Sequence, residues 1–173
     1  MTLKTLTFHR PGDGAAAQFS SAPPLSLYVH LPWCVRKCPY CDFNSHAWAG
    51  ALPQDAYIDA LLRDLEADLP LVWGRPVLGM FIGGGTPSLF EPAAIDRLLS
   101  ELRARLPLLA GAEITLEANP GTLDTARLEG FVRAGVNRLS LGVQSFDDAA
   151  LKALGRIHDA AAARRAVEVA LCS

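Results

Sequence analysis

No surplus of charge marks this sequence. Sixteen Lys and Arg stand against 18 Asp and Glu, a formal net charge of −2 over 173 residues. Without a basic excess there is no electrostatic reason to expect nucleic acid or an anionic membrane as partner. Cysteine is scarce too: four residues are too few for a disulfide scaffold. A spanning apolar run is missing. The longest stretch without Asp, Glu, Lys or Arg, Gly14 to Val35, is interrupted by Gln18, Pro23, Pro24, three serines and His30, so no transmembrane segment is expected. The start carries Lys4, His9, Arg10 and Asp13 and lacks the apolar run of about 7–15 residues that a secretory signal needs. A cytoplasmic, reducing setting follows as the expectation, and there clustered cysteines serve metal binding or catalysis rather than disulfides.

What is there suits a folded core. Half of the residues are apolar and 20% are charged, which argues against a disordered tail and for one domain. Residues 1–24 read as a loose leader, broken by Gly12, Gly14, Ser20, Ser21, Pro23 and Pro24. From there strand and helix signals alternate. Leu25–Leu31, Val77–Ile82, Glu113–Ala118 and Val136–Val143 are short apolar strand candidates. Gln54–Leu69 and Pro92–Leu106 carry apolar residues at helical spacing, and Thr122–Ala134 forms a third helix with Thr122 as its cap and Gly135 just past its end. A helical region from about Asp147 to Leu171 is broken near Gly155–His158.

Four strand–helix units predict parallel strands with crossover helices, either a doubly wound sheet or part of a βα barrel. A closed (βα)₈ barrel takes ~250 residues. The pattern stops at four units inside a stretch of helical spacing, so residues 25–173 are expected to be the N-terminal part of a longer, TIM-like α/β barrel. The Val136–Val143 strand would then be an open edge.

The sharpest chemical signal is Cys34-Val-Arg-Lys-Cys38-Pro-Tyr-Cys41, three thiols in a loop set by Pro32 and Pro39. Closely spaced soft ligands suit an iron–sulfur cluster or zinc. Zinc sites usually add a second C-x₂-C pair, and none is present; His30, His46 or Cys172 would have to complete such a site. Three ligands on a four-iron cluster leave one iron open. Gly83-Gly84-Gly85-Thr86-Pro87 follows the second strand and either lets a ligand approach the backbone or simply makes a tight turn. Glu117 ends the third strand and Gln144 follows the fourth; a carboxylate and an amide there can hold sugar hydroxyls or serve as caps. Each of these candidates falls just after a predicted parallel strand, on the rim where α/β folds carry their sites.

These segments resemble the radical S-adenosylmethionine superfamily, whose signature is C-x₃-C-x₂-C. The resemblance covers about residues 25–165 and is carried by Tyr28–His46, Phe81–Ser88, Ile114–Gly121 and Asn137–Asp147. It implies that Cys34, Cys38 and Cys41 bind three irons of a 4Fe–4S cluster, with S-adenosylmethionine chelating the fourth. It further implies that Tyr28 and Tyr40 line the cluster and cofactor, and that Gly84, Gly85 and Thr86 contact the methionine amino end. Glu117 would bind the ribose, Gln144 would lie beside the cofactor, and Arg156 in Gly155-Arg-Ile-His158 would pair with the methionine carboxylate, a fork that guanidinium suits. In such proteins the reduced cluster cleaves the sulfonium to a 5′-deoxyadenosyl radical.

Within the superfamily the chain is similar to the branch that holds oxygen-independent coproporphyrinogen III dehydrogenases and heme chaperones. The dehydrogenases carry a further cysteine two residues after the third ligand, where this sequence has Phe43, and the string Cys41-Asp-Phe-Asn-Ser-His46 looks like the chaperones. The resemblance therefore implies heme binding and transfer to apo-hemoproteins, with porphyrinogen oxidation or a zinc-binding structural module as the alternatives. It also implies a six-unit partial barrel followed by a carboxy-terminal domain. The heme-attachment region has no counterpart here, which makes His9, His30, His46 and His158 poor heme-ligand candidates. The sequence names no electron donor.

Overall fold

A computed structural model describes residues 23–172. Nearly all of the expected leader, and His9 within it, lies outside the described residues. The element order is β1 (Leu25–Leu31), β2 (Trp33–Cys34), β3 (His46–Ala47), α1 (Gln54–Val72), β4 (Val77–Gly84), α2 (Pro92–Arg105), β5 (Leu108–Ala118), α3 (Thr125–Ala134), β6 (Arg138–Leu141), α4 (Asp148–Ala153) and α5 (Ala160–Leu171).

The main sheet is parallel throughout, in the order β1-β4-β5-β6. That order settles a choice the strand–helix alternation leaves open. A doubly wound sheet reverses its order at a switch point; here the four strands of the main sheet lie side by side in the order in which the chain forms them, with β2 and β3 paired apart from it, as in a βα barrel. Helices α1 and α2 pack together, as do α2 and α3, so the crossovers form a layer. Between layer and sheet sits one apolar core with Leu31, Ile58, Ile82, Ile95, Leu98, Leu99, Leu116 and Phe131 at 0% exposure. The architecture is the partial α/β barrel expected.

The elements differ from the sequence pattern mainly at their ends. Helix α1 runs three residues past Leu69 and takes Pro70 into its last turns. Strand β4 continues through the first two glycines. Strand β5 starts at Leu108, because an irregularity between Val77 and Gly79 lets the pairing with β4 resume after Gly111, at φ 78°. Thr122 is not the cap of α3. It closes a 3₁₀ turn, Pro120–Thr122, and Asp124 caps the helix instead by accepting the Arg127 N–H at 2.8 Å. Both residue types favour that position, so only the path of the chain decides between them. Gly135 ends α3 at φ 105°, a conformation that favours glycine. Strand β6 is shorter than Val136–Val143, because Asn137 turns its side chain onto the backbone of Ala112 and Ile114 and Gly142–Ser145 forms a turn. The break near Gly155–His158 is present, between α4 and α5.

Among the described residues no helix is long and apolar enough to cross a membrane.

Candidate functional site

The carboxyl ends of the four strands and the loops after them enclose a cavity of about 350 Å³. Cys34, Cys38 and Cys41 line it. So do Tyr40, Gly84, Gly85 and Thr86, together with Glu117, Gln144 and Arg156. Residues up to 122 positions apart in the chain (34 to 156) therefore share one wall system, and of the cofactor and metal residues singled out above only Tyr28 is not among the lining. It stands to one side, 56% exposed, with its hydroxyl 3.1 Å from His30 Nδ1 and its ring stacked on Phe81. Slight burial raises its phenol above the usual value, and the charge of Glu117 adds to that.

The cysteine loop is held by its own backbone and a few side chains. Strands β2 and β3 pair in parallel, a contact no sequence signal announced, and Trp48 N–H donates to the Cys34 carbonyl at 2.9 Å. Cys41 N–H turns back onto the Cys38 carbonyl at 3.1 Å. Lys37 Nζ donates to the carbonyls of Phe43 and Ser45, and His30 Nε2 to that of Asn44. The thiols are free of disulfides; Cys34 is buried, Cys38 and Cys41 partly so.

The glycine segment belongs to packing as much as to ligand approach. Gly85 N–H donates to the Leu31 carbonyl at 2.8 Å, Thr86 N–H to the Trp33 carbonyl at 2.7 Å, and Gly84 N–H to Glu117 Oε2 at 3.1 Å. All three N–H groups are thus engaged inside the protein, and what this segment can offer a ligand is carbonyl oxygen and the Thr86 hydroxyl. A Cβ on Gly85 would stand 2.5 Å from the Trp33 carbonyl oxygen, so glycine is required where β4 ends against the chain leading to Cys34. Glu117 is half-buried. Burial raises its carboxyl above the usual range, opposed by the Gly84 N–H and by His30.

Arg156 joins the far loops to the cysteines. Its Nη1 donates to Cys38 Sγ at 3.2 Å and lies 3.3 Å from the Tyr40 hydroxyl, while Nη2 donates to the Gly142 carbonyl at 2.7 Å. Its Nε is buried without a hydrogen-bond partner. A buried donor left unpaired costs free energy, and such an atom at a cavity wall points to a missing acceptor. Gln144 stands at φ 67°, an unusual conformation for a residue with a side chain. Sequence reasoning missed Asn119 and Arg36, which also line the cavity, and the buried His158 behind it. Asn-Pro-Gly after a strand was a turn signal; nothing local marked the other two.

This donor set fits an iron–sulfur cluster with a zwitterionic nucleotide beside it. Three thiols from one loop supply soft ligands on one side, and the unpaired Arg156 Nε offers a donor to a carboxylate. Glu117 can accept from hydroxyls. Among the described residues no three His, Cys, Asp or Glu side chains converge on one ion-sized point; Cys34, Cys38 and Cys41 share the lining of one cavity. The fourth ligands that zinc would need are placed elsewhere. Cys172 lines a separate cavity with Glu129 and Arg133, both His30 nitrogens are engaged, and His46 is exposed on β3.

Known proteins bear on this geometry. The chain is 59% identical over 148 residues to the heme chaperone HemW of Escherichia coli (strain K12), covering 86% of this chain and 39% of that protein. It is 53% identical over 155 residues to the heme chaperone HemW of Haemophilus influenzae, covering 87% and 40%. The chain thus spans about two fifths of the length of these relatives. A solved structure of coproporphyrinogen III oxidase (HemN) from Escherichia coli, described as a radical SAM enzyme, superposes with a TM-score of 0.78 at 35% identity, over 86% of this chain and 34% of that one. Residues 28–171, from β1 to the end of α5, match the radical SAM superfamily, and with the sheet order and the three-cysteine loop this establishes that the chain belongs to it.

Proposed function

We propose that this chain binds a 4Fe–4S cluster through Cys34, Cys38 and Cys41 and S-adenosylmethionine beside it, as the radical SAM portion of a cytoplasmic heme chaperone that passes heme to apo-hemoproteins. The observation that carries the reading is the single cavity shared by the three cysteines, the glycine segment, Glu117, Gln144 and Arg156. When bound, a reduced cluster supplies the electron that cleaves the sulfonium of S-adenosylmethionine.

The chain's own residues bind and orient. The Arg156 guanidinium on the cavity lining would pair with the methionine carboxylate, and its Nη1 cation beside Cys38 Sγ offsets negative charge on the thiolates. The carbonyls of the Gly84–Thr86 segment accept from the methionine ammonium. Glu117, fixed by the Gly84 N–H, accepts from the ribose hydroxyls, and a carboxyl raised by burial is stabilised as the anion by those donors. Tyr40 covers the cluster side. Tyr28 acts at one remove, by orienting His30 and through it Asn44 of the cysteine loop.

The heme-chaperone assignment draws on the HemW relatives, and Phe43 at the cavity wall favours it over porphyrinogen oxidation. Anaerobic reconstitution followed by iron and sulfide quantification tests the site: four of each per chain are expected, with loss in Cys38→Ala. Zinc without iron or sulfide would overturn it. Heme titration of the longer protein, set against turnover of coproporphyrinogen III with S-adenosylmethionine, separates chaperone from oxidase.

A further inference from the structure

The turn after β6 stands in an unfavourable backbone conformation. Ser145 N–H donates to the Val143 carbonyl at 2.9 Å, closing a three-residue turn around Gln144 at φ 67°. Turns of this form are rare and strained, and Gln144 is the sole non-glycine at positive φ among the described residues. Strain of this kind persists where surrounding contacts over-determine it. Two contacts do so, both from Gly155–His158. Arg156 Nη2 holds the Gly142 carbonyl, and His158 Nε2 donates to the Val143 carbonyl at 3.0 Å.

His158 is 6% exposed, so its bond is shielded from water. Its other nitrogen, Nδ1, faces Asn119 Oδ1 at 3.2 Å, an oxygen that already accepts the Gly121 N–H at 2.9 Å. Burial and the charge of Arg156 hold the ring below the usual histidine range, against the Val143 carbonyl and Asp159, which favour the cation. A neutral ring has one N–H, and the shorter contact, to Val143, claims it. Asn119 is tied onward, its N–H donating to Ser88 Oγ, which lies 2.6 Å from Thr122 Oγ1. Hydrogen bonds thus join the loops after β4 and β5, and His158 ties its own segment to the loop after β6 while its Nδ1 packs against Asn119.

We propose that His158 is a positioning residue for S-adenosylmethionine: by clamping the Val143 carbonyl it holds Gln144 at the cavity wall and fixes the short segment from which Arg156 reaches the same cavity. The inference rests on the cofactor reading given above. The anaerobically reconstituted protein tests it, with iron and sulfide per chain and S-adenosylmethionine affinity by calorimetry measured on the wild type, His158→Gln, His158→Asn and His158→Ala. Glutamine sets an amide nitrogen near the place of Nε2 and keeps the bond to Val143; asparagine reaches only the place of Nδ1. His158→Gln is expected to bind within about threefold of the wild type, and the other two about tenfold or more weaker with cluster content unchanged, the equivalent of one lost buried hydrogen bond. Equal affinity in all four proteins would overturn the proposal. So would joint loss of iron and affinity in all three variants, which assigns the ring to folding alone. A wild type that holds its cluster and does not bind S-adenosylmethionine would overturn the cofactor reading itself, and the proposal with it.

Discussion

Two walls of the same cavity are made in opposite ways. The cysteine loop is open: Val35, Tyr40 and Phe43 are 49%, 48% and 60% exposed, and the loop keeps its shape by hydrogen bonds from Lys37, His30 and its own backbone. The end of β4 is closed: Gly83 and Gly84 are buried, a Cβ on any of the three glycines would meet a neighbour within 3 Å, and the N–H groups of Gly84 and Gly85 are spoken for. Side-chain chemistry is concentrated on the wall that tolerates change, and steric necessity on the wall that does not. A residue that serves a ligand through its side chain can be replaced at little cost to folding, whereas one that serves by having no side chain cannot.

The strongest way to break this comparison is Gly85→Ala. A methyl 2.5 Å from the Trp33 carbonyl oxygen forces backbone apart, and destabilisation of about 3 kcal/mol is expected, a fall in Tm of roughly 6–12 °C by thermal denaturation. An unchanged Tm would mean that the two walls do not differ. Cys41→Ser probes the open wall. Its sulfur makes only a 3.7 Å contact with Ser45 Oγ, so the apo-protein should lose less than about 1 kcal/mol while reconstituted iron falls sharply. Asp124→Ala, on the scaffold behind the site, should cost about 1 kcal/mol through the lost cap of α3 and leave cofactor binding unaltered.

The smallest effect sharpens the comparison at Glu117, which touches both functions. Because burial raises its folded carboxyl above the unfolded value, its contribution to stability is present below the unfolded pKa and is lost as pH rises through the folded one. Glu117→Gln should therefore stabilise the apo-protein by a few tenths of a kcal/mol at neutral pH, an effect held small by partial exposure, with the gain shrinking toward pH 4 in urea denaturation. Weaker S-adenosylmethionine binding should accompany it. His158 runs the other way: its folded pKa is lowered, so its share is present above the ordinary histidine value and is lost on acidification.

Much of this was legible from one dimension because the relevant forces are short-ranged along the chain. Apolar spacing marked β1, α1, α2 and the centres of β4 and β5, and Cys34, Cys38 and Cys41 announced their loop by proximity in sequence alone. The ends of elements were less legible. Thr122 and Asp124 are equally good caps by type, and β5 gained its early residues from an irregular pairing that no periodicity encodes. The glycine triplet was recognised as a place for ligand approach, yet its engaged N–H groups depend on where β1 and β2 pass, which is a tertiary fact.

By itself, the sequence determined the class of fold, the rim on which chemistry would gather and the thiol set, since strand–helix alternation and ligand spacing are local properties. Only the tertiary structure decided the unreversed strand order, the unpaired Arg156 Nε, the strained turn at Gln144 and the histidine that clamps it. Those features come from contacts between segments distant in the chain, where the hydrogen-bonding needs of one loop are met by another.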